Sequence, residues 1–156
     1  MLETIYVETT IVGHLAGRIH RDPFVAARQQ ATRLWWRDEA SKYTVLISQL
    51  VLDECSDGDA AAAAERLEVV EDVDLIESSD EVDALAAALI AGHAVPPSEP
   101  RDASHIAIAA VNGVNYLLTW NFVSVPSSGW GPQILEAPLR PRANTFPFAI
   151  GDVGQS

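Results

Sequence analysis

Cysteine is nearly absent from this sequence, since Cys55 is the only one in 156 residues. An internal disulfide is therefore excluded, and one cysteine with four scattered histidines gives no zinc-ligand spacing. No apolar run approaches the roughly 18 to 20 residues that a membrane helix needs. The N-terminus, MLETIYVETT, also lacks the basic and apolar regions of a secretory signal. We expect a protein of a reducing, cytoplasmic setting with no membrane partner.

Basic residues are scarce as well, and the formal net charge is −12. Strong non-specific binding to nucleic acid is disfavoured, because that affinity comes from Lys and Arg on phosphates. The charge is unevenly distributed. Residues 18–42 hold six of the ten basic residues against three acids, whereas residues 53–83 hold thirteen acids and one Arg. The acidic stretch is either a solvated face or a surface for a basic partner, in which case the basic stretch could serve a substrate.

Several common catalytic motifs are missing. The sequence has no Gly-x-x-x-x-Gly-Lys phosphate loop, no Gly-x-Gly-x-x-Gly dinucleotide turn and no Gly-x-Ser-x-Gly nucleophile elbow. Nucleotide-dependent chemistry of those types and serine hydrolysis are therefore not indicated.

Strands and helices alternate along the first 121 residues. Apolar, β-forming runs predict strands at 4–7, 44–47 and 73–76 and before Thr119. Spacing and capping residues predict helices at 23–41, 49–55, from Asp59 onward, at 82–91 with Asp80 as its cap, and from Asp102 to Gly113. The run AVPPSEPR is predicted to be a loop, because its prolines exclude helix. This order predicts an α/β fold with a parallel sheet.

The last 35 residues have a different character. Five of the nine prolines and four of the nine glycines follow Asn121, without sustained periodicity. A chain of this length forms one domain with a real core. We therefore predict a core at 1–121 and an irregular segment at 122–156 that belongs to the same domain.

Oxygen-bearing side chains recur near the predicted strand ends. Glu8 follows the first strand, Glu54 lies on the helix after the second, and Asp102 and Asn121 flank the last helix and strand. Open α/β sheets bind ligands beyond the carboxyl ends of their strands. Converging carboxylates there could hold one or two hard divalent cations such as Mg²⁺ or Mn²⁺, which activate water and neutralise charge on a phosphate.

Each of these residues also has a structural explanation. Asp102 could be a helix N-cap, Asn121 a turn residue, and Glu54 part of an exposed helix face. His105, one turn after Asp102, could orient a ligand or phosphate, or could be a core or capping histidine. Glu8 is the hardest to explain structurally, because an acid beside an apolar strand needs a partner or a metal.

Three segments together resemble the PIN-domain nucleases, and among them the VapC-like toxins of bacterial toxin–antitoxin pairs. The segments are IYVETTIVGHLAGR, LISQLVLDECSDGD and RDASHIAIAAVNGVNYLLTWN, in family order over roughly residues 1–121. The last segment is the most specific.

The resemblance implies a three-layer α/β/α domain with a central, mainly parallel sheet and an acidic metal site that cuts RNA. By this resemblance the metal ligands fall on Glu8, Glu54 and Asp102, and a fourth catalytic position falls on Asn121. Glu8 replaces the usual Asp with a longer arm, and Asn121 lacks the charge of the frequent Asp, which should weaken a second metal more than a first. The resemblance further implies a homodimer and a cognate antitoxin. It ends near Asn121, because FVSVPSSGWGPQ departs from the family pattern.

The sequence thus favours a Mg²⁺- or Mn²⁺-dependent endoribonuclease with RNA as substrate. Weaker candidates for contacts with the substrate are Arg18, Arg21, Arg28 and His105. One alternative is a non-catalytic PIN-like module that binds a protein partner through residues 53–83. Another is a phosphatase-like or unrelated α/β protein whose acids coincide by chance.

Overall fold

A mainly parallel sheet forms the centre of the molecule. The computed structural model describes residues 1–121, 132–136 and 140–141. The described strands are β1 (Glu3–Val7), β2 (Tyr43–Ser48), β3 (Asp74–Ile76), β4 (Tyr116–Thr119), β5 (Gln133–Glu136) and β6 (Arg140–Pro141). They lie in the order β3-β2-β1-β4-β5-β6. The pairs β3-β2, β2-β1 and β1-β4 are parallel, whereas β4-β5 and β5-β6 are antiparallel.

The described helices are α1 (Thr9–Leu15), α2 (Pro23–Asp38), α3 (Gln49–Cys55), α4 (Ala60–Val69), α5 (Asp80–Ala91) and α6 (Pro100–Val111). Side-chain caps begin three of the predicted helices. Asp22 accepts from Phe24 N at 2.8 Å, Ser48 from Val51 N at 3.4 Å and Asp59 from Ala62 N at 3.0 Å. No helix in the described part of the chain combines the length and the apolar character needed to span a bilayer.

The central strand β1 is buried on both faces. Ile5, Tyr6 and Val7 are each 0% exposed, so side chains pointing in both directions from the strand are covered. Helix α5 packs against α6, and α1 packs against α2, α3 and α4. The predicted three-layer α/β/α arrangement with a mainly parallel sheet is confirmed.

This topology brings three connections to one edge of the sheet. Strand β1 lies between β2 and β4 and runs in the same direction as both, so their carboxyl ends meet at one edge. The backbone N–H of Glu8 donates to Leu118 O at 3.3 Å, and the backbone N–H of Trp120 donates to Thr10 Oγ1 at 3.2 Å. The chain leaving β1 is thereby fixed against the end of β4.

Helix starts differ from the sequence prediction at α1 and α6, and also at α5, which is described below. Helix α1 was not predicted, yet it begins directly after β1, where the Glu8 side chain accepts from Thr10 N. Helix α6 begins at Pro100, inside the run predicted to be a loop. A proline is compatible with the first helical position, because its missing N–H would have had no partner there. The N-cap is Glu99, so interpreting Asp102 as the cap is wrong.

The prediction of an irregular segment after Asn121 is wrong for β5 and β6. These strands, of four and two residues, extend the sheet across the predicted boundary, because β5 pairs with β4. Ile134 and Leu135 of β5 are 2% and 4% exposed and join the core. The other residues of 122–156, apart from Pro132, lie outside the described part of the chain.

Helix α5 provides a test of capping. Its N-cap is Ser79, whose Oγ accepts from Val82 N at 3.3 Å, rather than the predicted Asp80, which lies in the first turn. Ser79→Ala should lower the free energy of unfolding by about 1 kcal/mol. Asp80→Ala should cost only a few tenths of a kcal/mol, because it loses only the attraction of a charge to the helix dipole. Urea denaturation of both variants measures the difference, and equal losses would contradict the assignment.

Candidate active site

Glu8 lies between β1 and α1 and is almost inaccessible, at 2% exposure. One carboxylate oxygen accepts from Thr10 N at 3.1 Å and from the Thr10 hydroxyl, and the Thr119 side chain also bonds to the carboxyl. Burial nevertheless raises the pKa of Glu8 from 4.5 to about 7, because it penalises the charged form. Glu8 is therefore an acid held where its charge is costly unless a cation accompanies it.

Glu54 lies on α3 and has defined partners for both oxygens. Oε1 accepts from Thr9 Oγ1 at 2.8 Å and lies 2.6 Å from His105 Nε2, while Oε2 lies 3.4 Å from Arg101 Nη1. Burial acts to raise the pKa of Glu54, but the bond to His105 and the other partners outweigh it, so the pKa is lowered. The alternative in which Glu54 belongs to an exposed helix face is wrong, because only 14% of its side chain is exposed.

Asp102 and Asn121 meet, as the strand and helix order predicted. Asn121 Nδ2 donates to Asp102 Oδ1 over 3.4 Å, a long bond. Burial, followed by the charge of Glu99, raises the pKa of Asp102, and Glu54 adds to the same direction. The charge of Asp102 in turn raises the pKa of Glu8. The charge of Asp102 therefore interacts with those of Glu8 and Glu54, so these acids lie in the same region of the molecule.

His105 does not have the predicted role in contacting substrate. The side chain is 2% exposed, with Nδ1 at 2.6 Å from the Tyr6 hydroxyl and Nε2 at 2.6 Å from Glu54. Both ring nitrogens are thus occupied within the protein, and no surface is left for a phosphate. The alternative of a core histidine is the one that the structure supports.

Tyr6 was missed by the sequence reasoning. Tyr6 is the penultimate residue of β1, and its buried hydroxyl contacts Ser48 Oγ at 2.8 Å and His105 Nδ1 at 2.6 Å. Burial raises the pKa of this phenol, so it stays protonated. A signal was available, because a tyrosine in the buried part of a strand must find a partner for its hydroxyl, but the sequence does not identify that partner.

The predicted basic residues divide into two kinds. Arg18 and Arg21 are exposed. Arg28 is partly buried, and its guanidinium carbon lies 4.8 Å from the centre of the Phe24 ring and 5.0 Å from that of Trp120. None of the three has a hydrogen bond or ion pair to Glu8, Glu54 or Asp102 among the described contacts. Arg28 is the best placed of them, because Trp120 directly precedes Asn121.

The donor set can be tested for its fit to a metal. In the parts of the chain that are described, no group of three or more His, Cys, Asp or Glu is arranged to hold an ion. The donor types nevertheless suit a hard divalent cation, since Glu8, Glu54 and Asp102 offer carboxylate oxygens and Asn121 offers an amide oxygen. The costly charge of Glu8 and the mutual repulsion of Asp102 and Glu54 would both be relieved by a cation. Arg101, which is 65% exposed and only 3.4 Å from Glu54, could be displaced by it.

Comparisons with known proteins show which solved structures have a similar fold. A scan against protein-family models found no match, and neither did a search of curated proteins. Among solved structures, Mycobacterium tuberculosis VapC20, a sarcin–ricin loop cleaving toxin, is 19% identical with a TM-score of 0.55 over 72% of this chain and 86% of its own. VapBC2 from Rickettsia felis, bound to a DNA fragment from their promoter, is 16% identical with a TM-score of 0.54 over 76% and 88%. The chain therefore has the PIN-domain fold of the VapC proteins, and the resemblance is confirmed at the level of fold.

Proposed function

We propose that this chain is a VapC-like, metal-dependent endoribonuclease that hydrolyses RNA phosphodiester bonds, the toxin of a toxin–antitoxin pair. One set of observations supports the proposal: Glu8 and Asn121 follow the adjacent parallel strands β1 and β4, Asn121 Nδ2 lies 3.4 Å from Asp102 Oδ1, and the charge of Asp102 interacts with those of Glu8 and Glu54. Glu8 caps α1, but a smaller uncharged side chain could do the same, so capping alone does not explain a buried carboxylate whose charge is opposed by that of Asp102. Catalytic use of a cation does explain it.

The four side chains have distinct roles in this proposal. Glu8, Glu54 and Asp102 would hold Mg²⁺ or Mn²⁺, and Asn121 would assist directly or through water. When bound, such an ion supplies water activation and neutralises charge on the phosphate. Asn121 contributes no charge, so a second ion would be held more weakly than a first. Thr9 and Thr10 keep the carboxylates of Glu54 and Glu8 oriented.

RNA would reach the acids past the basic stretch 18–42. Arg28, fixed between the Phe24 and Trp120 rings, is the leading candidate for a phosphate contact, because Trp120 links it to the end of β4. Arg18 and Arg21 are exposed nearby in sequence and would add weaker, sequence-independent contacts. The structural likeness to VapC20, a toxin that cleaves the sarcin–ricin loop, supports RNA as the substrate class.

A protein partner belongs to the same proposal. The likeness to VapBC2 supports a cognate antitoxin. An antitoxin could inhibit by placing an Arg among the acids, where it would compete with the metal for Glu54 and Asp102. We also propose a homodimer and a cytoplasmic location, which follow from the resemblance and from the scarcity of cysteine.

Metal dependence provides the direct test. Purified protein should cleave RNA with Mn²⁺ or Mg²⁺, lose cleavage in a chelator and regain it when Mn²⁺ is restored, because the acids would need a cation to act on phosphate. A gel assay with end-labelled RNA measures this, and titration calorimetry measures Mn²⁺ binding in parallel. Cleavage that persists in the chelator would contradict the proposal.

The calorimetry also tests a second candidate function. Asn121 in place of an acid and the acidic stretch 53–83 favour a non-catalytic module that binds a basic protein partner. Absence of heat at millimolar Mn²⁺, together with absence of cleavage, would support that module against the nuclease.

A further inference from the structure

A chain of buried hydrogen bonds runs through the molecule beneath the acidic site. Ser48 Oγ lies 2.8 Å from the Tyr6 hydroxyl, which lies 2.6 Å from His105 Nδ1. His105 Nε2 lies 2.6 Å from Glu54 Oε1. The chain thus connects β2, β1, α6 and α3 and ends on a proposed metal ligand. Tyr6, His105 and Ser48 are each at most 2% exposed.

For a neutral His105 ring, the chemistry of the donors fixes the direction of these bonds. Glu54 as a carboxylate only accepts, so His105 Nε2 must carry a hydrogen and donate it. In the neutral ring Nδ1 is then an acceptor, and the Tyr6 hydroxyl donates to it. The oxygen of Tyr6 accepts in turn from the Ser48 hydroxyl, while Ser48 Oγ caps α3 by accepting from Val51 N. Every hydrogen in the chain is used once.

We propose that Tyr6, acting through His105, is a positioning residue that holds the Glu54 carboxylate in its working orientation. The functional part of this inference rests on the proposed function, because it takes Glu54 as a metal ligand. Tyr6 itself touches neither substrate nor metal. Its effect is to fix one tautomer and one orientation of the His105 ring, whose N–H then fixes one oxygen of Glu54.

The location of Tyr6 makes it suited to this role. It lies on the central strand, between the two neighbours whose ends form the site, and its ring is 0% exposed. Its hydroxyl cannot turn to solvent, so the His105 ring is held by a rigid donor rather than by water. Arg101, by contrast, approaches Glu54 from the exposed side over 3.4 Å and cannot hold it in one orientation.

The test compares Tyr6→Phe with Tyr116→Phe in the full-length protein. Both substitutions remove one hydroxyl from a buried ring, but the Tyr116 hydroxyl donates to Glu3 at 2.7 Å, at the end of β1 opposite to Glu8. Tyr6→Phe should lower kcat and Mn²⁺ affinity by roughly 10- to 100-fold, as loss of a partner behind a metal ligand does. KM for RNA should change by less than about twofold, since no substrate contact is lost. Tyr116→Phe should leave kcat, KM and Mn²⁺ affinity at wild-type values.

Long-range ¹H–¹⁵N spectra of the metal-free protein provide a readout that loss of stability alone would not move. The wild type and Tyr116→Phe should show His105 as the Nε2–H tautomer with Nδ1 as an acceptor. In Tyr6→Phe the Nδ1 resonance should shift, because its donor is gone. His105→Gln keeps an amide donor for Glu54 and should therefore retain more activity than His105→Leu. If Tyr6→Phe does not fold, this pair of variants tests the hydrogen bond to Glu54 instead.

The outcomes separate this inference from the proposed function. Wild-type kcat and Mn²⁺ affinity in Tyr6→Phe, or an Nδ1–H tautomer in the wild type, would overturn the positioning role even in an active nuclease. A wild type that neither cleaves RNA nor binds Mn²⁺ would overturn the proposed function, and the hydrogen bonds from Ser48 to Glu54 would then have no catalytic role. The spectra would still decide whether Tyr6 orients His105.

Discussion

Replacing Asp102 by Asn should lower metal-dependent RNA cleavage on the order of a thousandfold, while the protein stays folded. Asn has the same shape and keeps an oxygen that can accept the bond from Asn121 Nδ2. What disappears is a negative charge in a site that is already crowded with acids. Those acids would gain stability from a cation, and each carboxylate lost weakens the attraction for that cation.

Asp102 is the best acid for this test because its surroundings disfavour the charged form of its carboxyl group. Burial and the neighbouring charges of Glu99 and Glu54 raise its pKa. Under the proposed function, an acid is found in these surroundings because its charge is needed to bind the cation. Asn121→Ala should have a smaller effect, about tenfold, since it removes a neutral ligand or a water contact.

Single-turnover cleavage at saturating Mn²⁺ measures these effects. Asp72→Asn is the matched control, because it makes the same chemical change on an exposed acid outside the site. Glu8→Gln should behave like Asp102→Asn. Wild-type cleavage rates in both Asp102→Asn and Glu8→Gln would show that these acids do not carry the reaction, and the nuclease assignment would have to be abandoned.

The sequence predicted best what local chemistry determines. Residues 4–7 and 44–47 form strands because they are apolar and β-forming, and Ser48 begins α3 because its hydroxyl can cap the helix. Their order implied a parallel sheet, and that sheet brings Glu8, Asp102 and Asn121 to one edge. The joint placement of the acids was therefore predictable without coordinates, although their use as ligands stays a prediction.

Features that depend on distant contacts were not predictable. Helix α1 begins TTIVG, whose β-branched residues and glycine disfavour an isolated helix. It forms because Ile11 and Val12, both 0% exposed, pack into the core. Strand β5 exists through its pairing with β4, and Tyr6 contacts His105 across 99 positions of sequence. Periodicity within a short window contains no information about such partners.

In the presence of a chelator, Glu8 should make the protein less stable at about pH 8 than at about pH 5. Folding raises the pKa of Glu8 from 4.5 to about 7, so between those values the folded state binds the proton that the unfolded state releases. The free energy of unfolding therefore falls as the pH rises through this window and levels off above it. The loss amounts to about 3 kcal/mol, at roughly 1.4 kcal/mol for each unit of pKa difference.

Glu8→Gln isolates this contribution, because the amide keeps the size and cannot ionise. Groups that do not interact with Glu8 titrate alike in both proteins and cancel in the difference, whereas Asp102, whose charge raises the pKa of Glu8, cancels only in part. The pKa of His14 is lowered mainly by burial, which makes stability rise with pH up to about 6.5. The lowered pKa of Glu54 also makes stability rise with pH, below pH 4.5. The raised pKa of Asp102 makes stability fall as the pH rises, as that of Glu8 does. The difference between the two unfolding curves therefore reports Glu8.

Urea denaturation at about pH 5, 6, 7 and 8 gives that difference. The variant should be close to the wild type at the acid end and more stable by about 3 kcal/mol at the alkaline end. Parallel curves would mean that the Glu8 charge is not costly in the folded protein. Mn²⁺ added at about pH 8 should then stabilise the wild type more than Glu8→Gln, because a bound cation offsets the buried charge that the variant lacks. Glu8 would thus both lower the stability of the metal-free protein and make its stability depend on bound metal.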